Sequence, residues 1–219
     1  MSDTVKQHDG GKRAYNSPRR AEQAAATRAA VLAAARDLFI AKGYSATTIA
    51  EIAGRAHVAV DTIYATVGRK PALLRELVET SISGTGQAVP AEQRDYVLRI
   101  GTVRTAREKL AIYAQAITAI QERLGPVFIA LRGAAATDPE CEAMWTEIAH
   151  RRAAGMLTFA EHLRSTGELR NDLSDTQVAD IIWSMNATEY WVLLVRERGW
   201  TSDQFAKWLI DAWTRLLLQ

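Results

Sequence analysis

The stretch Ala46-Thr47-Thr48-Ile49-Ala50-Glu51-Ile52-Ala53, followed by Val58-Ala59-Val60-Asp61-Thr62-Ile63-Tyr64, reads as two short helices joined by a tight turn. Thr48 and Glu51 have the spacing of a capping box, in which hydroxyl and carboxylate each satisfy a backbone N–H left open at a helix start. One helix is therefore expected from Thr48 to about Arg55, and a second from Val60 to Thr66. This is the layout of a helix-turn-helix, whose second member enters the DNA major groove while its partner fixes the angle of entry.

The flanks support that reading. Val31, Leu32, Ala35, Leu38 and Phe39 share one face of a helix expected over Ala24 to Lys42, and Gly43 supplies a stop. Residues 1–23 are polar, with Gly10-Gly11 and Asn16-Ser17-Pro18, and are expected to form a flexible arm made basic by Lys12, Arg13, Arg19 and Arg20. Downstream, Pro71 suits the first turn of a fourth helix carrying Leu73, Leu74, Leu77, Val78 and Ile82, and Ser83-Gly84-Thr85-Gly86 ends the unit. Residues 24–84 are thus expected to be a DNA-binding domain, and 85–219 a second domain.

The second half also has helical periodicity and no run of alternating β-branched residues, so the chain is predicted to be all-α, with about nine helices. A helix from Thr105 to Leu124 should break at Gly125-Pro126 and resume over Val127 to Ala135. Asp138-Pro139 opens another to about Thr166, and two more are expected over Ser174 to Arg198 and Thr201 to Leu218. The segment from 85 to 101 carries no clear pattern.

Composition narrows the class. With 219 residues, 48% of them hydrophobic and only 5 prolines, the chain can bury a substantial core. Its N-terminus lacks the apolar run of a signal peptide and no stretch approaches the roughly 20 apolar residues of a membrane span, so a cytoplasmic protein is expected. A single cysteine, Cys141, excludes an internal disulfide. His8, His57, His150 and His162 form no metal-ligand pattern and Cys141 has no evident base, so neither catalysis, metal nor cofactor is expected. Residues 1–85 hold 12 Lys/Arg against 8 Asp/Glu and the remainder 15 against 17, which puts the basic excess on the half that holds the helix pair.

Ala34-Ala35, Leu38-Phe39, Gly43-Tyr44, Thr47-Thr48, Ile52-Ala53, Thr62-Ile63-Tyr64 and Lys70 with Leu73-Leu74 give the first four helices a specific likeness. This part of the chain resembles the N-terminal domain of the TetR family of bacterial transcription regulators. The resemblance implies that Thr47 or Thr48, Tyr64 and Lys70 bind phosphates and hold register, while base contacts specify sequence. For Lys70 a solvated side chain is the alternative. Val60, Asp61, Thr62 and Ala65 are the groove candidates, since small apolar groups can touch thymine methyls and Asp can accept from cytosine N4; Asp61 can equally serve the first turn of its own helix. Arg28 and the arm could reach the DNA backbone or minor groove. His57, Ala59 and Val67 depart from the family's usual Gly, capping Ser and aromatic.

For the C-terminal half, the resemblance implies a homodimer in which the last two helices pair with their copies as a four-helix bundle, set to read a palindromic double-stranded operator. Trp191, Leu194, Val195, Phe205, Trp208, Leu209, Ala212, Trp213 and Leu216 form the pool from which the interface is expected, and some of them must instead face the protomer's own core. Tyr113, Phe128, Trp145, Met156, Phe159, Trp183, Asn186, Glu189 and Tyr190 combine aromatic area with a few polar groups, as a pocket for a small-molecule effector would. A cavity-facing Glu189 would suit a cationic or hydroxylated ligand. The function expected is a ligand-responsive repressor; the alternative is a helical ligand-binding or assembly protein with a vestigial DNA-binding module.

Overall fold

The computed structural model describes residues 17–219, which contain helices and no strand. In chain order these are α1 (Ser17–Lys42), α2 (Ile49–Ala56), α3 (Val60–Thr66), α4 (Lys70–Ser83), a 3-10 turn (Ala91–Gln93), α5 (Asp95–Thr102), α6 (Ala106–Ala135), α7 (Pro139–Arg164), α8 (Asp175–Met185), α9 (Thr188–Trp191) and α10 (Ser202–Leu217). A π-helical stretch (Val192–Glu197) continues α9. The all-α expectation holds. No helix among the described residues is long and apolar enough to cross a membrane.

Lys12 and Arg13 of the expected arm lie outside the described residues, but Arg19 and Arg20 do not belong to an arm. They sit in the first turns of α1, which begins at Ser17 rather than Ala24, because Ala21, Glu22, Gln23 and the alanines after them are strong helix formers. At the other end of the fourth helix, Gly84 takes a left-handed conformation (φ 72°) and its N–H bonds Thr80 O.

α6 is the hub, packing against α1, α4, α5, α7, α9 and α10. The break expected at Gly125-Pro126 does not occur. Pro126 costs the helix one hydrogen bond, yet buried Leu124, Val127, Phe128 and Leu131 hold the two halves in line. Gly125 is there for a different reason: a Cβ on it would lie 2.6 Å from the Trp191 ring, so only glycine admits that indole. The converse error falls on the expected helix from Ser174 to Arg198, which ends at Asn186, where the backbone carbonyl accepts a 2.8 Å bond from Gln121 Nε2 of α6. A tertiary bond has replaced a helical one.

The hydrophobic core is continuous, from Val31 and Phe39 in α1 through α6 to Trp213 and Leu217 in α10. Helices α2 and α3 are therefore mounted on the same packed interior as the C-terminal helices.

Candidate nucleic-acid interface and effector region

α2 is chemically fixed at both ends. Thr48 Oγ1 accepts from Glu51 N (3.2 Å) and Glu51 Oε2 accepts from Thr48 N (3.0 Å), completing the box. Hydrogen bonds from Lys42 first, then from Thr48, hold the Glu51 carboxyl down at about 2. At the other end His57 adopts φ 56°, the left-handed conformation that its place in the turn demands, with its N–H bonding Ala53 O and Gly54 O. Ile52 and Ala53 point inward against Leu38, Phe39 and Ile63, all buried.

α3 follows after one extended residue, Ala59, which offers no side-chain cap. Its inner face is Ile63, with no exposed area. Thr48, Val60, Asp61, Tyr64 and Ala65 lie on the outside, and Thr62 is half-buried. The pair thus presents a narrow exposed face on a rigid base, as a major-groove reader must.

Three of the residues expected to contact DNA are occupied within the protein. Thr47 is buried at 1% exposure, and its hydroxyl donates to Gly43 O (2.8 Å) and Leu38 O (3.3 Å), so of the two threonines only Thr48 stands on the rim. Lys70 donates to Tyr44 O and Thr47 O (both 3.0 Å) and lies over the Tyr44 ring at 4.2 Å, bracing the turn between α1 and α2. Arg28 grips Glu76 of α4 with both ends of its fork (2.6 and 2.5 Å) and donates to Thr66 O at the end of α3 (2.5 Å). Each is a brace: the Thr47 hydroxyl, buried away from water, needs a carbonyl partner, and the Lys70 and Arg28 cations bond the open carbonyls and the carboxylate beside them.

Sequence reasoning missed the contact behind this face. Tyr44 Oη donates to Asp138 Oδ2 (2.9 Å), and Asp138 caps α7 through Glu140 N and Cys141 N. Burial raises the Asp138 carboxyl, but the Tyr44 hydroxyl and the two amides outweigh it and leave it below its ordinary value. Arg69–Glu140 (3.0 Å), Arg75–Glu147 (2.8 Å) and Arg151–Glu79 (2.6 Å) tie the same two parts of the molecule. Asp138-Pro139 signals a cap in the sequence; its partner 94 residues away leaves no local trace.

The expected effector residues separate into core and surface. Tyr113, Phe128, Met156 and Phe159 are buried, and Trp145 and Trp183 are half-buried. Tyr113 packs on Phe159 (4.9 Å between ring centres) and Trp213 (5.8 Å), and Phe128 on Trp145 (4.6 Å). Asn186 is 1% exposed and fully employed: it donates to Tyr113 Oη (2.8 Å) and accepts from Arg152 Nη2 (2.6 Å). Arg152, which sequence reasoning passed over, also donates to Trp183 O and lies on the Trp183 ring. Glu189 is exposed and paired with Arg132 (3.1 Å), which removes the argument for a cationic ligand. Tyr190 is exposed as well.

Open space lies instead beside α4. A cleft of about 460 Å³ is walled by the end of α4, the segment from 85 to 95, α5 and α6, and none of the nine expected residues lines it. A shallower groove of about 1480 Å³ runs between α1 and α4 on the other side of that segment. No group of three or more metal-ligating side chains occurs among the described residues.

The expected dimer pool divides too. Phe205, Leu209 and Trp213 have no exposed area because α10 turns them into α6 and the protomer core, and Trp191 at the end of α9, seated on Gly125 of α6, has only 4%. Leu194, Val195, Trp208 and Ala212 are half-buried, and Leu216 is 42% exposed. Tyr190 and Leu193 join them on the outside, Tyr190 stacking on Trp208 at 5.8 Å.

A capped helix, a tight left-handed turn and a short outward helix on an all-α body define a helix-turn-helix protein. Residues 31–77 match the family model described as bacterial regulatory proteins, tetR family. No curated protein matches the sequence. Among solved structures, the chain is similar in fold to native NalD, the secondary repressor of the MexAB-OprM multidrug efflux pump in Pseudomonas aeruginosa (18% identity, 90% of this chain and 98% of that one covered, TM-score 0.70). It is similar also to the fatty acid degradation regulator FadR from Bacillus halodurans (16%, 85% and 94%, 0.70). A third is a transcriptional regulator from Saccharomonospora viridis in complex with choline (17%, 88% and 97%, 0.65).

Proposed function

We propose that the chain is a homodimeric DNA-binding regulator of transcription, acting in the cytoplasm as a repressor that a small molecule releases from a palindromic operator. The observation that carries this reading is the exposed face of Thr48, Val60, Asp61, Tyr64 and Ala65, mounted on helices whose own polar groups are tied off inside. Thr48 and Tyr64 would hold phosphates, and α3 would read bases. Residues 24–84 serve as the reader and 85–219 as the effector and dimer half. Tyr190, Leu193, Trp208, Ala212 and Leu216 form the apolar face through which two copies would set their α3 helices about 34 Å apart.

Gel shift with duplex from the chain's own upstream region, across a salt series, tests this. Specific binding, with Tyr64→Ala weakening it at least tenfold while the helical signal is unchanged, is the expected result. Binding no tighter than to a scrambled duplex sinks it. Light scattering of a lone 24.2 kDa species at micromolar concentration would remove the dimer. The exposed Asp61 and the uncapped start of α3 favour a second reading, a ligand-binding protein whose reader is vestigial, and the same gel shift separates the two.

A further inference from the structure

The cleft beside α4 has the size of a small-molecule site, about 460 Å³. Its floor is an apolar strip of α6, Ile112, Ala116 and Ile120, which the helical repeat places in line. Its rim carries Arg94, Arg99 and Arg123 against one carboxylate, Asp95, which lies 3.8 Å from Arg99. Arg94 and Arg123 are half-buried, and each engages a carbonyl only through Nε: Arg94 with Val89 O (3.2 Å), Arg123 with Ser81 O (3.0 Å). Among the described residues no acceptor meets the terminal nitrogens of either. A partly desolvated guanidinium with no counter-ion is an unfavourable arrangement that a bound anion relieves, and its planar fork fits a carboxylate or phosphate.

We infer that this cleft binds an amphipathic organic anion, with a carboxylate or phosphate head at Arg94 and Arg123 and an apolar body along Ile112, Ala116 and Ile120. The inference supplies the ligand class for the regulator reading and rests on that reading for its consequence only. Arg123 sits where three helices meet: its Nε holds Ser81 O of α4, and its own carbonyl accepts from Arg36 Nη2 of α1 (2.8 Å). Arg36 also reaches Ser81 Oγ (3.3 Å). A Cβ on Gly84 would stand 2.9 Å from Arg123 Nη2, so the end of α4 is fitted to that side chain. A head group held at the terminal nitrogens of Arg123 pulls on the side chain whose Nε holds the Ser81 carbonyl, and α1 and α4 support the helix pair. Occupancy then shifts the reader to the extent that the two states differ in affinity for the ligand.

The test uses one ten-carbon chain with four heads: decanoate, decyl phosphate, decanol and decyltrimethylammonium, titrated into the full-length protein by calorimetry. Decanoate or decyl phosphate should bind at least tenfold more tightly than decanol or the cation, and the stronger of the two identifies the head. Arg94→Gln and Arg123→Gln should each remove that preference, bringing the anions down to the level of decanol, and Ala116→Trp should fill the cleft and abolish binding with the melting temperature preserved. Indifference to the head group, preference for the cation, binding by none of the four, or unchanged anion binding in both arginine variants overturns the inference. Gel shifts on the same samples keep the two readings apart: DNA binding without anion binding defeats the ligand class alone, and anion binding without DNA binding defeats the regulator.

Discussion

Helices α2 and α3 stand side by side in the reader and are held in opposite ways. α2 is closed by a reciprocal cap at one end and a left-handed turn at the other, whereas α3 has seven residues and no side-chain cap. A helix that short does not hold itself in water. It persists because Ile63 is sunk in the core and Arg28 clasps the carbonyl of Thr66 at its far end. The arrangement leaves the outer face of α3 almost free of structural duties, so residues there can be changed without loosening the mount.

The largest way to break that contrast is at Ile63. Truncation to Ala removes a fully buried side chain and should cost about 2–5 kcal/mol in denaturant unfolding, with DNA binding lost before the global transition. If α3 were self-sufficient, local exchange of its amides would be unaffected. Arg28→Ala comes next. The Arg28–Glu76 pair is 45% and 16% exposed, so after discounting for solvent the loss of the pair and of the Thr66 bond should be about 1–2 kcal/mol. Its signature is faster amide exchange at the end of α3 than in α2; equal exchange in both would show that Arg28 is not the clasp.

Most of this mount is legible in the sequence. Thr48 and Glu51 announce their cap by spacing, Pro71 its first turn, and Ile52 and Ile63 their burial by period, because each signal is local. What is not legible is the use of charge. Arg28 and Lys70 look like contacts for DNA, but their partners Glu76 and Tyr44 lie 48 and 26 residues away. The C-terminal half shows the same limit more severely. Gly125 reads as a break and is a seat for Trp191, while the sequence leaves Phe205, Leu209 and Trp213 undivided between interface and core and the fold buries all three, since apolar period alone does not say which neighbour a face meets. The cleft is missed because its rim, Arg94 and Arg99, belongs to a segment with no pattern of its own.

A smaller effect sharpens the α2 side. Thr48→Ala should cost about 1 kcal/mol, and it should also change the response to acid. The folded Glu51 carboxyl is held at about 2, below its value in the unfolded chain, so its contribution is present above the ordinary glutamate range and is lost as pH falls toward about 2. Removing the Thr48 hydroxyl takes away part of that depression. The melting temperature of Thr48→Ala should therefore fall less between pH 5 and pH 2 than that of the parent; an identical acid profile would assign the depression to Lys42 and the Thr48 backbone amide, which the substitution leaves in place.

The smallest expected change is a gain. Ala59 has the extended backbone of a capping residue, φ −71° and ψ 152°, and already accepts the first turn's bond from Thr62 N (3.0 Å), but it has no oxygen to offer the amides ahead of it. Ala59→Ser supplies one without moving the chain, and should add roughly 0.5–1 kcal/mol. Because α3 is held from its core side and its far end, the added cap should slow amide exchange in its first turn and leave α2 untouched. If exchange throughout α3 is unaltered, the near end is already fixed by packing, and the difference between the two helices is one of chemistry without consequence for their mobility.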